Sequence, residues 1–72
     1  MPLSRRELVE KCQRLYPVGT KVELIHMEDK YGPEPGTSGV VTHVDSIGQV
    51  HVDWANGSTL ALIPGVDKWR VV

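Results

Sequence analysis

The chain has 72 residues, the size of one small domain. Its single cysteine, Cys12, excludes an internal disulfide, and His26, His43 and His51 are too scattered to give zinc-type ligand spacing. Eight basic residues against nine acidic ones leave a formal net charge of −1, which argues against the concentrated basic footprint of a strong nucleic-acid binder.

In chain order, residues 4–16 read as a helix. Ser4 is a good N-cap, because its hydroxyl can accept from a free N–H of the first turn. Glu7 stands where a capping box needs it, and Leu3 and Leu8 have the spacing of a hydrophobic staple. Leu8, Cys12, Leu15 and Tyr16 fall on one face. Glu7–Lys11 and Glu10–Arg14 are pairs in the favourable order. Pro17 ends the helix, since the residue before a proline avoids the α region. So short a helix cannot stand alone in water. Its apolar stripe must therefore dock, and the expected contacts are Leu15 and Tyr16 against Trp69 or Val71. The competing arrangement is a stripe shared between two copies, so the chain is expected as a monomer or a homodimer.

The remainder reads as β-structure. A first strand covers 21–27, with a change of apolar phase near Leu24-Ile25 that suggests a bulge or a change of sheet. A long polar loop, 28–37, follows, in which two prolines and two glycines exclude regular structure. The second strand, 39–45, places Val40 and Val44 on one face. The third, 49–55, does the same with Val50, Val52 and Trp54. Matching those faces pairs Val44 with Val50 and leaves Ser46-Ile47-Gly48 as a turn with Gly48 left-handed. A fourth strand, 58–63, matches Leu60 and Leu62 to Val52 and Val50, so Ala55-Asn56-Gly57 forms a second turn with Gly57 left-handed. Pro64-Gly65-Val66-Asp67 then turns the chain into a last strand, 69–72.

The expected fold is mainly β: a five-stranded SH3-like barrel, 20–72, with one N-terminal α-helix, making 1–72 a single domain. The run from Val18-Gly19-Thr20 through Pro35-Gly36-Thr37-Ser38-Gly39, Trp54-Ala55-Asn56-Gly57-Ser58-Thr59-Leu60 and Ile63-Pro64-Gly65-Val66-Asp67-Lys68-Trp69 resembles a family of roughly 70-residue bacterial and phage domains without an assigned function. The resemblance covers nearly the whole chain. It implies an SH3-like fold and an origin in phages or mobile elements, and it implies no catalytic residues. More loosely, the Gly39-x-Val41 entry to a strand looks like that of ribosomal and transcription-factor nucleic-acid-binding barrels.

Candidate sites are few. His43 and His51 come out opposite each other on the outward face, with Asp45 and Asp53 beside them. Two imidazoles and a carboxylate could hold a divalent metal, but a solvated sheet face is the better reading. Tyr31, with Glu28, Asp29 and Glu34, resembles the acidic, aromatic loop with which signalling SH3 domains grip proline-rich peptides, but a Tyr31 folded back over the barrel with the acids solvated is the better reading. Trp54 belongs to the core, and Trp69 sits half exposed at the barrel end. Cys12 on the helix's apolar face reads as a packed thiol, not a nucleophile. No phosphate-binding glycine loop, carboxylate cleft or serine triad is present, so the chain is read as no enzyme, without cofactor or metal.

The expected function is a small protein-interaction or adaptor module, with Tyr31, Glu34, His43, His51, Asp53 and Trp69 as contacts to a protein partner. The alternative is a nucleic-acid-binding accessory protein using Arg5, Arg6, Lys11 and Arg14 of the helix. No signal peptide, membrane partner or membrane-spanning run is read from the sequence, and the lone cysteine fits a reducing cytoplasm.

Overall fold

Ser4 begins the helix as its sequence predicts. The computed structural model describes residues 4–72. Helix α1 covers Arg5–Leu15. The Ser4 hydroxyl accepts from the Glu7 N–H at 3.2 Å and donates to Glu7 Oε1 at 2.9 Å. The return arm from Glu7 thus reaches the cap's side chain. The expected staple at Leu3 lies outside the described residues. Glu10 turns back to Arg6, 3.3 Å away, so Arg6–Glu10 takes the place expected of Glu10–Arg14.

Four antiparallel strands form an open sheet in the order β3-β2-β1-β4. They are β1 (Lys21–His26), β2 (Ser38–Val44), β3 (Val50–Trp54) and β4 (Lys68–Val71). Both hairpin registers are those read from the hydrophobic pattern. Val44 faces Val50 and His43 faces His51. Gly48 and Gly57 have φ of 89°, closing their turns in a conformation that side chains resist. A bulge interrupts β1 between Leu24 and His26, as its phase change predicts.

The fifth strand is a correction. Residues 58–63 run beside β3 in the expected register, but pairing is reduced to one isolated bridge, Val50 with Leu62. The cause is Trp54, whose indole N–H donates to the Leu60 carbonyl at 2.9 Å. The Leu60 N–H is held by the Ser58 hydroxyl at 3.3 Å. Leu60 makes no backbone hydrogen bond to Val52, so the ladder fails there and the sheet has four strands.

Two further corrections concern apolar phase. A second bulge lies between Val41 and His43. It turns Val41 inward, where it is 1% exposed, and leaves Val40, the residue expected inside, 40% exposed. Ile25, beside the β1 bulge, is also exposed.

The core joins Val22 and Leu24 of β1, Val41 of β2, and Val50, Val52 and Trp54 of β3 to Leu62 and to Cys12 of the helix. Each such aliphatic side chain is worth roughly 1.5–3 kcal/mol on burial. Leu8 and Tyr16 extend the helix's contact with this core. Leu8 also packs on the bare Gly48, where a Cβ would come within 3.2 Å of its Cδ2. Tyr16 meets Trp69 with ring centroids 5.4 Å apart. Leu15, expected in the same contact, is half exposed instead.

Replacing Gly57 by valine tests the second turn. Nothing lies within 4 Å of a Cβ built there, so the cost is backbone strain alone. Gly57→Val should destabilise the domain by about 1–3 kcal/mol. Thermal unfolding should show a melting point lower by several degrees, and an unchanged one would contradict this turn geometry.

Candidate functional site

The long loop and the turn before β4 are held to each other by one carboxylate. Asp67 is buried, 7% exposed. Its Oδ1 accepts from the Glu28 N–H at 3.1 Å and its Oδ2 from the Ile63 N–H at 2.8 Å. The Ile63 carbonyl in turn accepts from the N–H groups of Val66 and Asp67, winding 63–67 into a single turn. Two segments far apart in sequence are thereby fixed side by side.

Between them runs an open groove of about 560 Å³. One wall is the loop, with Met27, Glu28, Asp29 and Tyr31. The other is Leu60, Ala61, Ile63 and Val66, and Gln49 closes one end. Asp29 uses Oδ1 to accept from the Tyr31 N–H at 2.8 Å, a local Asx turn that fixes the loop tip. Tyr31 projects into solvent, 81% exposed, with Lys30 Nζ 5.0 Å from its ring centroid. It does not fold back over the core. Ile63 and Val66 are also exposed.

A second constellation lies on the β2–β3 hairpin. The rings of His43 and His51 stack at 4.1 Å between centroids and only 9° from parallel. His51 Nε2 lies 2.8 Å from Asp45 Oδ2, and a carboxylate oxygen only accepts, so that nitrogen carries the proton. Asp45 Oδ1 accepts from the Ile47 and Gln49 N–H groups at 3.1 and 2.9 Å. Partial burial pushes the Asp45 carboxyl up. The His51 hydrogen bond, the two backbone N–H groups and the His51 charge outweigh it and hold the carboxyl below its usual value. Among the described residues no group of three or more His, Cys, Asp or Glu side chains could hold a metal ion.

The six expected partner contacts do not share one surface. Tyr31 borders the groove. Glu34 is exposed further along the loop, and its carbonyl closes a turn onto Thr37. His43 and His51 form the stacked pair. Asp53, opposite Val40, borders a separate hollow with Lys21 and Val72. Trp69 packs inward on Tyr16, its Nε1 buried and without a partner among the described residues. Arg5 and Arg6 border a shallow hollow between α1 and Asp45, and Lys11 and Arg14 are exposed. At helical spacing Glu7 and Glu10 lie among these four cations. Cys12 is buried, and burial pushes its thiol up more than nearby Lys11 draws it down.

Neither Asp67 nor the apolar wall at Leu60, Ala61, Ile63 and Val66 stands out in the sequence as part of a site. The available signal was the spacing of Ile63 and Asp67 around Pro64-Gly65, where an aspartate can close the turn it follows.

A family model described as a domain of unknown function (DUF4314) matches residues 5–72, and the chain belongs to that family. No curated protein and no solved structure matches the chain. No helix among the described residues is long and apolar enough to cross a membrane.

Two measurements check this site. Asp67→Asn puts an amide donor against one of two backbone N–H groups, so it should cost about 1–3 kcal/mol in urea unfolding at neutral pH. Asp45 gives the pH dependence. Its folded value lies below the unfolded one, so its contribution is complete above about pH 4 and is lost as pH falls through the folded value. Wild type should therefore lose more stability than Asp45→Asn between neutral pH and about pH 3, and equal losses would refute the assignment.

Proposed function

We propose that this member of a domain family of unknown function is a small SH3-like protein-interaction module. The observation that carries the reading is the groove between the long loop and the 60–67 segment. Binding sites are typically concave and lined mostly by apolar side chains. Here Tyr31, Ile63 and Val66 line such a surface, on walls tied together by Asp67. A binding role fits this surface better than a catalytic one, since Cys12 is packed away and the stacked histidines are engaged with Asp45 and Thr42.

The SH3-like reading draws support from the order of parts. A long loop follows β1, two tight hairpin turns follow β2 and β3, and a single turn precedes β4. The bridge at Leu62 stands where the additional strand of such a barrel would run. A cytoplasmic location and a mobile-element source complete the proposal, resting on the lone thiol and on the resemblance noted above. His43, His51, Glu34, Asp53 and Trp69 remain proposed as secondary contacts. Use of Arg5, Arg6, Lys11 and Arg14 on nucleic acid draws less support, because acids interleave them.

Tyr31 gives the cleanest test. Its side chain is exposed, so Tyr31→Ala should leave stability within about 0.5 kcal/mol. Affinity for a partner isolated from the native host should fall by about tenfold, the cost of losing an aromatic anchor. Equal capture by both forms would remove the groove from consideration.

A further inference from the structure

We infer that the groove receives an extended protein segment that carries cationic side chains beside apolar ones, and that this segment pairs with the backbone of Ala61. The inference rests on the interaction-module reading and specifies its partner.

The edge comes first. Leu62 gives both its N–H and its C=O to Val50, at 2.7 and 2.9 Å. In an extended chain the backbone groups of neighbouring residues point to opposite sides, so those of Ala61 face away from β3. Ala61 borders the groove. Among the described residues its N–H and C=O form no hydrogen bond. One donor and one acceptor are thus presented together at a sheet edge, the arrangement to which an added strand pairs.

Charge decides what that strand carries. Glu28, Asp29 and Asp67 border the groove against one lysine, Lys30, and Glu28 Oε1 also lies 3.1 Å from His26 Nε2. Lys30 leans over the Tyr31 ring at the loop tip. Asp67 sits at the base of both walls, where low exposure keeps its field unscreened. An acidic segment would be repelled. A segment bearing arginine or lysine meets the Glu28 and Asp29 side, while its apolar side chains cover Leu60, Ile63 and Val66.

The test uses the full chain, isotope-labelled, and three capped heptapeptides. In each, valine alternates with a second residue: arginine, glutamine or glutamate. Amide shifts are followed by NMR. The arginine peptide should move the amides of Ala61, Ile63, Val66 and Glu28. The glutamine peptide should bind about tenfold more weakly and the glutamate peptide more weakly still. Added salt should weaken the arginine complex, and Glu28→Gln should lower its affinity several-fold without altering the fold. An arginine peptide methylated on its backbone nitrogens should lose binding, because its strand donors are gone. Equal affinity for all three peptides would overturn the cationic preference and leave the groove reading intact. Undiminished binding of the methylated peptide would overturn pairing at Ala61. Shifts confined to α1 with every peptide, or produced there by a short DNA duplex and nowhere by peptide, would overturn the groove reading itself.

Discussion

Asp67 is the constraint on which the accessible surface depends. Its two oxygens each take one backbone N–H, from Glu28 and from Ile63. A buried carboxylate is tolerated only when its acceptors are matched, and here the donors come from the two segments that must be joined. A neutral side chain of the same shape could not serve both, because one end would carry its own protons. The loop after β1 can therefore be long and still hold a defined position. Together with the Leu24 bonds to Thr37 and Gly36 at the loop's far end, that tie offsets the entropy of so long a connection.

The bulges do comparable work inside the sheet. The one near Ile25 bends β1 inside its ladder with β4, between the Leu24–Trp69 and His26–Lys68 pairs. The one at Thr42 bends β2 inside its ladder with β3, just past the stretch Ser38–Val40 that also pairs with β1. Each adds a residue that belongs to neither register, and each increases local twist. That twist lets so few strands wrap around Leu24, Val41, Val52 and Leu62. The helix covers the remaining opening with Leu8, Cys12 and Tyr16, docking on a turn whose glycine leaves room for it.

Much of this was legible from residue types alone. Valines at 44 and 50 and leucines at 60 and 62 set the phase of both registers, because a one-residue slip exposes them and buries histidine or aspartate. The left-handed glycines follow from the loop lengths those registers leave. What escaped the sequence had tertiary causes. Leu60 loses its place in a ladder to an indole N–H that only the folded chain brings near. The Thr42 bulge carries no signature, since threonine is an ordinary strand residue, and so Val40 and Val41 exchange roles. Tyr31 and its acidic neighbours were readable as a functional loop. The opposite wall was not, because Leu60, Ile63 and Val66 read as strand and turn until Asp67 sets them against Glu28.

The pairing of β1 with β4 bears on how the domain is made. The ion pair across these strands joins Glu23 and Arg70, 47 positions apart in the chain. The β2–β3 hairpin closes across a three-residue turn, whereas the β1–β4 ladder must first close those 47 positions into a loop. Local pairs form quickly and distant ones wait, so the hairpin is the natural starting point of folding and β4 the last strand to arrive. The segment 60–67 leads directly into β4, and its wall of the groove is completed only with that final step. A nascent or partly unfolded chain thus presents no groove. Any partner bound there selects finished molecules and slows their unravelling from the β4 side.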